Sequence, residues 1–232
     1  MQKDLRPPFF VVNPKNLLYG KALMDLARHA NKFTKTYDVD IFFTAPTTEL
    51  ANVAEACPDL LVTAQHMDDI SQGDSMGKII PESLVHIGVQ AVVLNHADYL
   101  LTMSTLVNSV HMAKELGLKI IVCADSILEA KMMAMLNPDI VLAEPTELIG
   151  QKQISSQQYV TSTIESIKHT NPDVLVEQGA GIRSKNDVEE LLTLGADGVG
   201  VTSGIINAQD PVKMMEIMIQ AVSEIKEERG KR

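Results

Sequence analysis

Pro138-Asp-Ile-Val-Leu-Ala-Glu-Pro-Thr-Glu-Leu-Ile-Gly150 is the stretch whose reading decides the fold. Ile140, Val141, Leu142 and Ala143 form a short apolar run behind a Pro138-Asp139 turn signal. That is the length and composition of a strand buried on both faces. Pro145 has no N–H to give to a sheet ladder, so the strand must stop before it. Glu144 is thereby held on the last rung, pointing beyond the strand's carboxyl end, where parallel α/β folds bind ligands. Taken alone, a strand-end Glu is more often a solvated loop carboxylate. The remainder of the chain changes that balance.

On either side, short apolar runs alternate with segments of helical period. Strands are expected at Phe9–Asn13, Val39–Ala45, Leu60–Gln65, Gln90–Asn95, Leu118–Cys123, Asp173–Gln178 and Gly198–Thr202, besides the quoted one. Between them, Leu23, Leu26, Ala27, Ala30 and Phe33 recur on one helical face. Pro81, Ser126, Ser184 and Asp210-Pro211 mark helix starts, and Gly117 a helix end. Glu224 to Arg232 is highly charged and expected to fray. Strand and helix alternate without an interior linker, which means a parallel sheet. Eight such units in 232 residues, close to the ~250 typical of the fold, point to one closed (β/α)8 barrel domain spanning 1–232. A doubly wound open sheet is the alternative, but no Gly-x-Gly-x-x-Gly follows the first strand.

Composition narrows the function classes. The net charge of −10 and the absence of a Lys/Arg block argue against nucleic-acid or anionic-membrane partners. No apolar run is long enough to span a bilayer, and the N-terminus lacks a signal-peptide core. Cys57 and Cys123 sit in apolar contexts and read as reduced thiols of a cytoplasmic protein.

In a barrel the strand ends converge on one mouth. They would bring there Asn13 and Lys15, Gln65 and His66, Asn95, His96 and Asp98, Glu144, Gly179-Ala-Gly181, and Val201-Thr-Ser-Gly204. Glycine-rich turns after the last two strands leave N–H groups free, where barrels commonly hold a phosphate. A carboxylate and an imidazole beside that place suggest proton transfer next to a phosphate, with a polarised carbonyl making the carbon-bound proton removable.

Asn13-Pro-Lys15, Leu94-Asn-His-Ala-Asp98, Glu144-Pro-Thr-Glu-Leu-Ile-Gly150, Gly179-Ala-Gly-Ile182 and Thr202-Ser-Gly204 resemble the triosephosphate isomerase family, in particular its compact archaeal branch. The resemblance runs from Phe10 to Pro211. It implies a TIM barrel, a small phosphorylated sugar as substrate, and no metal or organic cofactor. By the pairing established for that family, Glu144 would be the proton-shuttling base and His96 the neutral electrophile. Lys15 and Asn13 would bind substrate and stabilise the enediolate, with Asp98 in support. Ile149, Gly150, Gly181, Thr202 and Ser203 would hold the phosphate, and the loop from Pro145 would close over it. The loop from Gly73 to Lys78 would cross into a neighbouring subunit of a homodimer or homotetramer.

Four departures accompany the resemblance. The family usually follows the sixth-loop Gly with Thr-Gly, whereas Gln151-Lys152-Gln153 follow Gly150 here. Asp98 stands where the family has Glu, Met76 replaces a Thr, and Pro14 replaces an aromatic residue. Two other readings follow: a paralogue isomerising another short ketose phosphate, and a catalytically weak barrel kept as a phosphate-ligand binder.

Overall fold

A computed structural model describes residues 5–149 and 154–231. The elements run in strict alternation: β1 Phe9–Val12, α1 Gly20–Tyr37, β2 Ile41–Ala45, α2 Leu50–Ala56, β3 Leu61–Ala64, α3 Pro81–His86, β4 Ala91–Leu94, α4 Met103–Glu115 and β5 Lys119–Ala124. There follow α5 Ile127–Met135, β6 Ile140–Ala143, α6 Gln157–Thr170, β7 Leu175–Gln178, α7 Lys185–Thr193, β8 Gly198–Val201, the short α8 Ser203–Ile206 and α9 Pro211–Gly230. The strands pair in parallel in chain order, and β8 closes back on β1 with Val11 opposite Gly200 and Val12 opposite Val201. This is a (β/α)8 TIM barrel; the open doubly wound sheet is ruled out by that closure.

Side chains alternate across each strand, so one parity fills the barrel and the other meets the helices. Phe9, Val11, Phe42, Leu61, Ala91, Val93, Ile121, Cys123 and Ile140 form the interior cluster. Phe10, Val12, Ile41, Phe43, Val92, Leu94, Val141 and Val176 face outward against the helix faces. The same parity carries Asn13, Glu144 and Thr202 to the interior side just beyond the ends of β1, β6 and β8. Strand residues therefore fix where the mouth's chemistry lies.

Helix starts follow the expected local rules. Ser126, Ser156 and Ser184 accept the N–H of the residue three positions on, and Ser184 forms a capping box with Asp187. The chain's end departs from expectation. α9 continues to Gly230, and Glu224, Lys226 and Arg229 near its end have partners. Lys226 Nζ meets Asp38 Oδ2 at 2.9 Å, Lys185 Nζ meets Glu224 Oε2 at 2.6 Å, and Arg229 donates to the Ala196 carbonyl at 2.9 Å.

Candidate active site

β6 ends at Ala143, as Pro145 requires, yet the Glu144 N–H still donates to the Ala124 carbonyl at 3.0 Å. That last ladder bond anchors the residue. Its side chain turns into the mouth with 16% exposure, and its Oε2 lies 3.7 Å from His96 Nε2. Burial raises the proton affinity of the Glu144 carboxyl; the Lys15 charge and the Ala180 N–H oppose this in part. Gly179 makes room for it, because a Cβ there would stand 2.9 Å from Glu144 Oε1.

His96 follows β4 after Asn95, which adopts a left-handed conformation at φ 60°. The Asn95 side chain locks that turn, donating to the Cys123 carbonyl and accepting from the Leu101 N–H. The Asp98 N–H donates to His96 Nδ1 at 3.0 Å. Nδ1 is thus an acceptor, and a neutral imidazole carries its hydrogen on Nε2. Burial, and then the Lys15 charge, hold the imidazole below its ordinary protonation range. Asp98 pulls the other way and is outweighed.

Lys15 also takes a left-handed turn, at φ 48°, held by its N–H on Asn13 Oδ1 at 3.1 Å. The same Oδ1 accepts from Thr44 Oγ1 at 2.6 Å, so the amide NH2 of Asn13 is the end left for a ligand. Lys15 Nζ contacts Asp98 Oδ2 at 2.9 Å, and Asp98 in turn lies 3.4 Å from His96 Nδ1. The shorter acid therefore still reaches the Lys15 ammonium, whose bond holds the Asp98 carboxyl below its usual range.

Asn13, Lys15, Thr44, His96, Glu144, Gly179 and Thr202 line one cavity of about 30 Å³, continuous in residues with a cleft of about 220 Å³ that adds Gln65, His66 and Tyr99. Gly181 sits in the β7–α7 turn, left-handed at φ 69° beside Ala180 at φ 62°. Ser203 opens α8, which packs so closely on that turn that a Cβ on Gly204 would lie 2.2 Å from the Ile182 carbonyl. Gly181 and Ser203 flank the cavity without lining it. Ile149 closes the turn formed by Thr146–Leu148 and does not reach the cavity either. Gly150 and the altered residues Gln151, Lys152 and Gln153 lie outside the described residues.

The residue sequence missed the ties that hold the sixth loop. The Thr146 N–H donates to Asp125 Oδ1 at 2.5 Å, and Tyr159 OH donates to the Asp125 carbonyl at 3.2 Å. In the sequence Asp125 stands out only as the neighbour of the Ser126 helix start. Glu177 was missed as well: it sits in an apolar-looking strand yet lines the same cavity.

The family model described as triosephosphate isomerase matches residues 8–219. A triosephosphate isomerase of Sulfolobus acidocaldarius is 32% identical over 231 residues, covering 97% of this chain and all of the relative. One from Methanosarcina mazei is 32% identical over 220 residues, covering 93% and 99%. A third, from Methanobacterium bryantii, is 32% identical over 227 residues, covering 96% and 100%. A closed eightfold barrel with a carboxylate, a neutral imidazole and an ammonium at one mouth, matched along nearly its whole length, belongs to the triosephosphate isomerase family of isomerases.

Proposed function

We propose that this chain interconverts glyceraldehyde 3-phosphate and dihydroxyacetone phosphate by proton transfer through an enediolate. The observation that carries this reading is the meeting of Glu144 and His96 at 3.7 Å, too long for a hydrogen bond to each other. A carboxylate and a donor are thus both available to a substrate between them. Glu144 removes the proton from the carbon beside the carbonyl, and the electron pair moves onto the carbonyl oxygen. His96 donates its Nε2–H to that oxygen, and the Lys15 ammonium and the Asn13 amide balance the growing charge. Glu144 then returns its proton to the former carbonyl carbon, while the hydroxyl hydrogen on the other carbon passes to His96 Nε2, replacing the one donated and leaving a carbonyl behind, so the isomerisation has no net gain or loss of protons or electrons. Thr202, Ser203, Gly181, Ile149 and Gly150 would receive the phosphate.

Support comes from Asn13, Lys15, His96 and Glu144 lining one cavity, and from Asp98, one methylene shorter than the family's acid, still reaching Lys15 Nζ at 2.9 Å. A pure binder has no use for a base opposite a hydrogen-bond donor. The test is turnover on glyceraldehyde 3-phosphate and then on short ketose phosphates. Conversion of the triose supports this reading. Conversion only of a longer sugar selects the paralogue, and binding without conversion selects the binder.

We further infer self-association, as a homodimer or homotetramer. Support comes from apolar side chains turned to solvent: Met76 on the Gly73–Lys78 loop is 92% exposed, and Leu100, Leu128 and Met135 are each more than half exposed around α4 and α5. Light scattering on the eluting protein distinguishes the two sizes from a monomer. Among the described residues, no helix is long and apolar enough to cross a membrane.

A further inference from the structure

Among the described residues, Glu177 is the one acidic side chain inside the barrel for which the mechanism above has no use. It lies on the interior parity of β7, opposite Leu142 on β6 and Gly198 on β8. Glu144 is two residues beyond Leu142 on the same face, so Glu177 stands one layer beneath it. The residue is 1% exposed, and its Oε2 has no hydrogen-bond partner. Its place is made for it: a Cβ on Gly200 would lie 2.3 Å from Glu177 Oε1. A side chain of any kind at that position would evict the acid. Both carboxyls border the same cavity of about 30 Å³.

The charges around Glu177 are few. Glu144 enters from the end of β6, Lys15 from beyond β1, His96 from beyond β4 and the Cys123 thiol from β5. Val11, Thr44, Val93, Ile121, Leu142 and Gly200 bring none. Lys15 is already engaged by Asp98 at 2.9 Å. Two carboxylates in one enclosed space, with a single cation committed elsewhere, cannot both ionise cheaply.

Resting on Glu144 as the base, we infer that Glu177 and Glu144 form a coupled pair sharing one negative charge, in which Glu177 keeps the proton. Glu177 is then a positioning residue. Its neutral state lets Glu144 carry the charge, and its ionisation would set a second anion beneath the forming enediolate. Burial, with the Glu144 charge added to it, drives the Glu177 carboxyl well above its ordinary range.

The experiment is a carboxyl-carbon NMR titration of the full chain labelled at glutamate, on the wild type, E144Q and E177Q. The pH profile of kcat/KM on glyceraldehyde 3-phosphate is measured beside it. In the wild type the Glu177 signal, assigned by its loss in E177Q, is expected to remain that of a protonated acid at neutral pH. E144Q should weaken its proton affinity at least about tenfold, because the neighbouring charge is gone. E177Q should lose the part of the alkaline fall in kcat/KM that coincides with the Glu177 midpoint. A Glu177 midpoint unmoved by E144Q overturns the pair, as does a Glu177 ionised at neutral pH. If E177Q does not fold, E177M, a neutral side chain of similar length, supplies the assignment for the same comparison. Absence of turnover with a moved midpoint leaves the pair standing and counts against the isomerase reading; turnover with an unmoved midpoint does the reverse.

Discussion

Lys15 and Asp98, 83 positions apart in the chain, meet at 2.9 Å between Nζ and Oδ2 at the barrel mouth. Lys15 would otherwise be free to swing on a flexible stem. The pair is partly exposed, so its value to stability is about 0–1 kcal/mol. Its use is in aiming the ammonium.

Removing the aim should therefore cost rate more than stability. D98A is expected to lower kcat/KM at least about tenfold, the order expected when a charged group is misplaced from the reacting atoms. The unfolding midpoint in urea should move little. D98E, which restores the longer acid typical of the family, should recover most of the activity. Steady-state kinetics beside urea titration checks both halves.

His96 should take up its proton below the range of an ordinary histidine. Burial and the Lys15 charge both oppose its protonation, and its Nδ1 already accepts the Asp98 N–H. Imidazole nitrogen NMR should show hydrogen on Nε2 and none on Nδ1 at neutral pH, with a midpoint below that of a free histidine. The acid limb of kcat/KM should then follow Glu144, above the ordinary carboxylate range, because burial raises it. An acid limb that tracks the imidazole signal would contradict this assignment.

G179A should damage catalysis without damaging the fold. The added methyl would press on Glu144 Oε1 at 2.9 Å and on Leu142 Cδ1 at 3.1 Å, both ends of movable side chains. The barrel can absorb that, but the base cannot keep its place. A displacement near 1 Å can cost about a hundredfold, so kcat should fall between about tenfold and a hundredfold. The melting temperature should change by only a few degrees.

Much of this arrangement was legible in the residues. The Ile140–Ala143 run ended by Pro145 gave the sixth strand and the place of Glu144, because proline chemistry admits only one outcome there. Seven further apolar runs gave the barrel, since side-chain parity along a strand is strictly two. What could not be read is contact between distant side chains. Asp98 reaching Lys15 depends on left-handed turns at Lys15 and Asn95, residues that could equally be extended. The clasp of α9 depends on Asp38 and Glu224 finding cations from other segments. Glu177 looked like a flaw in an apolar run, because the glycine that makes room for it is 23 positions away on β8.

E177M should be more stable than the wild type. An unpartnered buried polar group costs about 1–3 kcal/mol, which Met of similar length does not incur. For a chain of this size that is about 2–4 °C in Tm per kcal/mol. The sign with pH is fixed. The folded state holds the Glu177 proton more tightly than the unfolded chain, so wild-type stability falls as pH rises from the ordinary carboxylate range toward the folded value. The advantage of E177M should therefore widen with pH across that window, as calorimetric scans at several pH values would show.

Glu144 as the base that moves a carbon-bound proton is tested most directly by isotope exchange. Dihydroxyacetone phosphate is incubated with the protein in D2O, and deuterium at the reacting carbons is followed by proton NMR. The wild type should give glyceraldehyde 3-phosphate and incorporate deuterium from solvent. E144Q, folded by circular dichroism, should slow both by about 10²- to 10⁴-fold, the worth of a general base. Exchange by E144Q at the wild-type rate would contradict the assignment, as would a wild type that exchanges nothing.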